Sequence, residues 1–127
     1  MRARLDTVNL FSHEPAQLRD FYHTVFNFED VEFKSEPPES YVLDARGCQL
    51  CLKHWPTTRR HIELQPIELC IEVENLLQTM LRIKDHGGTI LMDEPIGFDG
   101  VAFYATDPDG HQLLVEYVFT ESSGYYF

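Results

Sequence analysis

Apolar residues recur along this chain with two different periods, and the switches between them mark out its elements. From Arg4 to Phe11, Leu5, Val8 and Leu10 fall among polar residues in the manner of a strand. Leu18, Phe21, Tyr22, Val25 and Phe26 then fall three and four apart, which gives a helix one apolar stripe. Ser12 or His13 can start that helix, with Glu14 and Pro15 in its first turn, and Asn27 can end it in the left-handed conformation. A helix striped on one side must lie against a sheet. Val31–Phe33, Tyr41–Leu43 and Gln49–Leu52 read as three further strands, separated by Pro37-Pro38 and Arg46-Gly47. The order over residues 4–54 is therefore βαβββ.

After a polar stretch from Pro56 to Gln65, the same order returns over residues 67–119, at an offset of about sixty residues between the two helical stripes. Ile67–Glu74 reads as a strand and Asn75 as a helix cap. Leu77, Met80, Leu81 and Lys84 form the expected helix face, which stops at Gly87-Gly88. Thr89–Met92, Val101–Ala105 and Gln112–Phe119 complete three more strands. Element order repeats while residue identity does not, which describes a single α+β domain over residues 1–127 built by duplication.

Composition narrows the class of partner. Ten basic residues against twenty-one acidic ones leave a formal charge of -11, which repels phosphate backbones and favours neutral or cationic ligands. Nucleic acid is excluded on that ground. No apolar run reaches the roughly 18 residues that span a bilayer, and no signal-peptide pattern opens the chain, so no membrane partner and a cytoplasmic location are expected. Three cysteines are too few, and odd in number, for a disulfide framework. Cys48-Gln49-Leu50-Cys51 has a redox or zinc spacing, but residues three apart on a strand point to opposite faces, so two structural thiols are the reading.

The densest motif is Phe103-Tyr104-Ala105-Thr106-Asp107-Pro108-Asp109-Gly110-His111-Gln112-Leu113-Leu114-Val115-Glu116. Its Asp-Pro-Asp-Gly core sets a tight turn between two strands, with Pro fixing φ and Gly supplying a conformation that other residues resist. Together with Leu5-Asp6-Thr7-Val8-Asn9-Leu10, Leu18-Arg19-Asp20-Phe21-Tyr22, Phe26-Asn27-Phe28 and Asp85-His86-Gly87-Gly88, it resembles the vicinal oxygen chelate superfamily, the glyoxalase, bleomycin-resistance and extradiol dioxygenase group. The resemblance implies two tandem βαβββ modules whose curved mixed sheets enclose a cavity, and a homodimer whose subunits share it.

That resemblance also implies four metal positions, on the first, fourth, fifth and eighth strands. Here they fall on Thr7, Cys51, Glu68 and Leu114, with Leu50 or Leu52 replacing Cys51 if the register shifts by one. Glu68 is a convincing hard-metal ligand, Cys51 a soft one, Thr7 a poor one and Leu114 none. A bulge in the last strand would let Glu116, two residues on and on the same face, join Glu68 and His54 or His61. Without it, Glu116 ends the strand near solvent, His54 and His61 belong to a polar loop and Glu68 lines the cavity without metal, the two acids near the cavity still drawing a cationic ligand.

Other chemistry is thin. Glu68 could shuttle protons if burial raised its pKa. Cys51 and Cys70 lack a base as nucleophiles, and Glu68 on the face of Cys70 would raise that thiol's pKa. His13, His23, His86 and His111 fall where caps and solvated residues do. Trp55 and Phe98 are aromatic candidates for the cavity wall and its mouth, the latter within the Pro95–Gly100 loop. The apolar Gly124–Phe127 tail reads as packed on a partner subunit or the pocket rim, and Arg59-Arg60 as a solvated pair.

The reading that results is a small-molecule binding protein, similar to the metal-independent bleomycin-resistance branch, that captures a cationic or aromatic ligand in an acidic cavity without a cofactor. Its ligand-binding residues are Thr7, Cys51, Trp55, Glu68, Phe98, Leu114 and Glu116. The alternatives are a divergent lyase or dioxygenase of the glyoxalase type holding a divalent metal through Glu68 and Glu116, and an interaction module with a vestigial cavity.

Overall fold

The computed structural model of the chain describes residues 2–55, 67–91 and 101–117. It divides into two compact units, Met1–Leu64 and Gln65–Phe127. Among the described residues each unit carries one α-helix and one four-stranded mixed sheet, so the fold is α+β as the periodicities imply.

In the first unit, strand β1 (Thr7–Ser12) leads into helix α1 (Pro15–Phe26), then β2 (Glu29–Asp30), a 3-10 turn (Glu32–Lys34), β3 (Ser40–Asp44) and β4 (Gln49–His54). The sheet order is β1-β4-β3-β2, with β1 and β4 parallel and the other pairs antiparallel. A parallel pair cannot close by a hairpin, so the chain must cross over, and α1 lies in that crossover. Leu18, Phe21, Tyr22, Val25 and Phe26 are buried along α1, as the stripe requires. Leu10, Leu43, Leu50 and Leu52 are buried on the sheet side, and Phe21, Tyr22, Phe26 and Phe28 form a ring cluster with centroids 5.1 to 6.4 Å apart. Such edge and offset arrangements suit the quadrupoles of the rings.

Several boundaries differ from expectation for local reasons. Glu14 stands at the N-cap position without a side-chain capping bond, Pro15 opens the helix, and Ser12 remains the last residue of β1. Its hydroxyl still accepts from the Glu14 N–H at 3.0 Å, so Ser12 serves the entry without being the cap. Asn27 closes the helix at φ 60°. Val31–Phe33 is not a strand. The Val31 N–H makes one last bond to Val42 O, and the chain then tightens into the 3-10 turn, with the Ser35 hydroxyl donating to Val31 O and accepting from Val42 N–H. Phe33 is left 87% exposed, which explains why its apolar character misled the strand reading. Arg19 ties α1 to β2 by a two-pronged bond to Asp30 and donates to Asp20 at 2.8 Å. The guanidinium holds the Asp30 carboxyl below its ordinary pKa.

The second unit repeats the scheme with β5 (Glu68–Val73), α2 (Leu76–Asp85), β6 (Thr89–Ile90), β7 (Ala102–Thr106) and β8 (Gln112–Tyr117). Its sheet order is β5-β8-β7-β6, again with the first and last strands parallel. The Asn75 side chain accepts from Gln78 N–H at 2.9 Å and caps α2. The buried face of α2 is Thr79, Met80 and Ile83, whereas Leu77 and Leu81 are exposed and Lys84 lies outside the stripe. The helix is rotated from the expected face by about one residue, because Ile83 rather than Leu81 reaches the core. Past Gly87, at φ 93°, the chain enters β6. Phe103, Ala105, Leu113 and Val115 are fully buried on the helix side of the sheet. Residues 92 and 118–119, expected at strand ends, lie outside the described residues. Among the described residues no helix is long and apolar enough to cross a membrane.

The Asp107–Gly110 turn is organised by a buried carboxylate. Asp107 Oδ1 accepts from the Asp109 and His111 N–H groups at 3.0 Å, and its Oδ2 lies 2.7 Å from His111 Nδ1. His111 is therefore a buried partner of Asp107, not a solvated turn residue. Asp107→Ala orphans buried donors at about 1–3 kcal/mol each. A loss of at least about 2 kcal/mol in urea denaturation is expected, while Phe33→Ser stays within about 0.5 kcal/mol; equal effects of the two would contradict this account of the turn.

Candidate functional site

Strand alternation gives each sheet one face toward its helix and one open face. On the open face of the first unit, the register brings Thr7, Asn9 and Phe11 of β1 beside Gln49, Cys51 and Lys53 of β4, with Ser40, Val42 and Asp44 of β3 beyond them. Leu50 and Leu52 belong to the opposite, helix-covered face, so Cys51 is the residue of β4 that the open face presents. Cys51 is buried, and burial raises its thiol pKa, which disfavours the thiolate that a metal or an electrophile requires. The Thr7 hydroxyl donates to Asp6 at 2.8 Å. Trp55, just past β4, is buried and meets Phe11 edge-on with ring centroids 5.2 Å apart. His54 Nδ1 lies 3.8 Å from Glu39 Oε2. Cys48 and Cys51 form no disulfide.

The open face of the second unit is different in kind. Glu68, Cys70 and Glu72 of β5 lie beside Gln112, Leu114 and Glu116 of β8, pair by pair, and Ala102, Tyr104 and Thr106 of β7 follow. The β5–β8 ladder runs unbroken from Glu68↔Gln112 to Val73↔Tyr117, so no bulge displaces β8 there. Glu116 consequently faces Glu72, not Glu68. Glu72 escaped the sequence reading, although its spacing of four from Glu68 already put it on the same strand face.

Electrostatics on this face are unbalanced. Desolvation first, and then the charge of Glu116, raise the Glu72 pKa above its ordinary value. Cys70 is pushed up by desolvation and by Glu68 and Glu116. Glu68 accepts from the Gln112 amide at 2.5 Å, and Cys70 Sγ lies 4.0 Å from its other oxygen. Leu114 and Tyr104 are half-buried between these polar ends. The arrangement can attract a cation, give its body an apolar and aromatic surface, and offer hydrogen-bond acceptors.

Residues 4–115 match the sequence profile of the Glyoxalase/Bleomycin resistance protein/Dioxygenase superfamily. The chain belongs to that superfamily. Solved structures agree in fold. A glyoxalase/bleomycin resistance protein/dioxygenase family enzyme from Burkholderia phytofirmans PsJN is 16% identical, with a TM-score of 0.78 over 92% of this chain and 100% of that one. A hypothetical protein from S. aureus is 15% identical, with a TM-score of 0.72 over 93% and 99%. TioX from Micromonospora sp. ML1 is 17% identical, with a TM-score of 0.66 over 89% and 97%. No curated protein matches.

Metals are common in this superfamily, and the donors at its four ligand positions can be judged by their chemistry here. Thr7 and Leu114 bring a neutral hydroxyl and a hydrocarbon, and Cys51 is a thiol whose ionisation burial opposes. Glu68 alone is a hard anionic donor, already bonded by Gln112. The four fit a divalent cation poorly. Among the described residues no three His, Cys, Asp or Glu side chains gather into a metal-sized group. Phe98, His61, Arg59-Arg60 and the Gly124–Phe127 tail lie outside the described residues.

A raised carboxyl pKa means that the folded state binds the proton more tightly than the unfolded state, so Glu72 costs stability as pH rises through its titration. Like charges directly opposite on adjacent strands are destabilising, and for a solvent-exposed pair the cost is on the order of a few tenths of a kcal/mol. Glu72→Gln should therefore raise the unfolding free energy by that order at pH 7, and the gain should shrink as pH falls through the raised Glu72 pKa and vanish below the ordinary carboxylate range. Chemical denaturation at pH 7 and pH 4 checks it; a loss of stability at pH 7 would contradict the assignment.

Proposed function

We propose that the protein is a small-molecule binding protein that captures a cationic, aromatic ligand on the open face of its second sheet without using a metal. The observation that carries this reading is Glu72 opposite Glu116, on a face that also holds Glu68. Carboxylates on neighbouring strands repel, and a bound cation turns that cost into attraction. Tyr104 and Leu114, paired between β7 and β8, supply a surface for an aromatic body. The formal charge of -11 draws cations toward the chain and speeds their encounter. The poor donor set at the family's ligand positions supports capture over metal-assisted turnover.

The proposal extends to a cytoplasmic homodimer, consistent with three cysteines that form no bridge. Light scattering tests the assembly. On the second sheet the proposed binding set is Glu68, Glu72, Leu114 and Glu116, whereas Thr7, Cys51 and Trp55 belong to the first unit and Phe98 lies outside the described residues.

Titration with benzamidinium and with benzoate, followed by amide NMR at low salt, tests the function. Benzamidinium should shift resonances of β5, β7 and β8, benzoate should not, and Glu72→Gln should weaken the cation's binding about tenfold, as loss of one charge-assisted contact implies. Equal responses to both probes would overturn charge-mediated capture. No response to either, with both sheets folded, would favour an interaction module.

A further inference from the structure

Helix α2 carries apolar residues on two sides. Thr79, Met80 and Ile83 are buried, which leaves Leu77 and Leu81, one turn apart, 68% and 55% exposed. Lys84 is exposed a further turn along, seven residues from Leu77 and therefore on the same side of the helix. Glu74 is exposed at the other end, just before the Asn75 cap. The outward side of α2 thus reads Glu74, Leu77, Leu81, Lys84, at spacings of three, four and three. That is the spacing of a seam by which one helix packs on another.

We propose that α2 is an interface between two copies of this chain, packed antiparallel about a two-fold axis level with Thr79. The inference rests on the homodimer reading and names its surface. A two-fold interface uses one patch twice, so the patch must complement itself. Here Leu77 meets the partner's Leu81 and Glu74 meets the partner's Lys84, because each pair is symmetric about position 79. Parallel packing would set Glu74 against Glu74 and Lys84 against Lys84, so charge selects the antiparallel arrangement. The helix has ten residues and is about 15 Å long. The contact is therefore smaller than a standard interface, and a weak, reversible dimer results. The formal charge of -11 on each copy opposes association at low salt. Because α2 covers the sheet face opposite Glu68, Glu72 and Glu116, this contact does not cover the open face of either copy, in place of the shared cavity that the family resemblance implies.

Sedimentation equilibrium at about 0.15 M salt, where repulsion between the copies is screened beyond about 8 Å, tests the surface. The wild-type chain should dimerise reversibly. Leu77→Ser combined with Leu81→Ser should weaken the dimer about a hundredfold or more, since each dimer loses four leucine contacts. Both positions are exposed, so circular dichroism should show the fold intact. Glu74→Lys or Lys84→Glu alone should weaken the dimer about threefold to tenfold, because two ion pairs per dimer become repulsive. The double reversal should return it to within about twofold of wild type. Glu74 and Lys84 stand at opposite ends of α2, too far apart to pair within one chain, so this rescue can arise only across the interface. A wild-type dimer that the leucine substitutions do not weaken, or single reversals that the double reversal does not rescue, overturns the α2 interface and leaves the homodimer reading to another surface. A wild-type chain that stays monomeric at millimolar concentration overturns both.

Discussion

In each unit the first and last strands pair in parallel, β1 with β4 and β5 with β8, and the remaining structure depends on that ladder. Parallel neighbours need a crossover, the crossover contains the helix, and the helix covers one face of the sheet. Leu10, Leu50 and Leu52 pay for the first such contact, and Phe103, Leu113 and Val115 belong to the second. Because side chains alternate along a strand, burying one set of residues presents the other set on the opposite face. The residues available for chemistry are therefore chosen by register: a one-residue slip of β8 would bury Glu116 and expose Val115.

The two open faces use this constraint differently. In the first unit the corresponding face has Cys51 and Val42 buried and Trp55 against Phe11. In the second, the ladder aligns Glu68, Cys70 and Glu72 with Gln112, Leu114 and Glu116. Nothing in the packing requires a glutamate opposite a glutamate, and threonine or glutamine would pair there at lower cost. An electrostatic penalty on a sheet face is a local inconsistency of the kind that supports the capture proposal. Desolvation first, and then the neighbouring glutamates, raise the pKa of Glu72 and Cys70, which argues against a thiolate nucleophile on this face.

Much of this was legible in the order of residues. The α1 stripe, the left-handed Asn27, the Asn75 cap and the Asp-Pro-Asp-Gly turn each have a short-range cause, and each is where its pattern puts it. The failures have causes that lie across space. Val31–Phe33 has strand-forming residues, yet its backbone leaves the ladder after one bond to Val42, a choice no local pattern records. Leu77 and Leu81 are apolar but exposed, because the rotation of α2 is set by where Ile83 meets its sheet. A bulge in β8 would bring Glu116 toward Glu68, but the ladder has none, and only the pairing register reveals Glu72 as its neighbour. His111 has the composition of a turn residue; its burial against Asp107 follows from the turn's closed geometry.

The central claim is that this face works by charge and shape without a divalent metal, and metal content tests it most directly. Protein purified without chelator would be assayed by mass spectrometry, then titrated with zinc, nickel, manganese and anaerobic ferrous iron. The account predicts occupancy far below one ion per chain and only weak binding that Glu72→Gln diminishes along with binding of organic cations. A tight, near-stoichiometric metal would contradict it and make Glu68 a ligand in a metal-dependent enzyme.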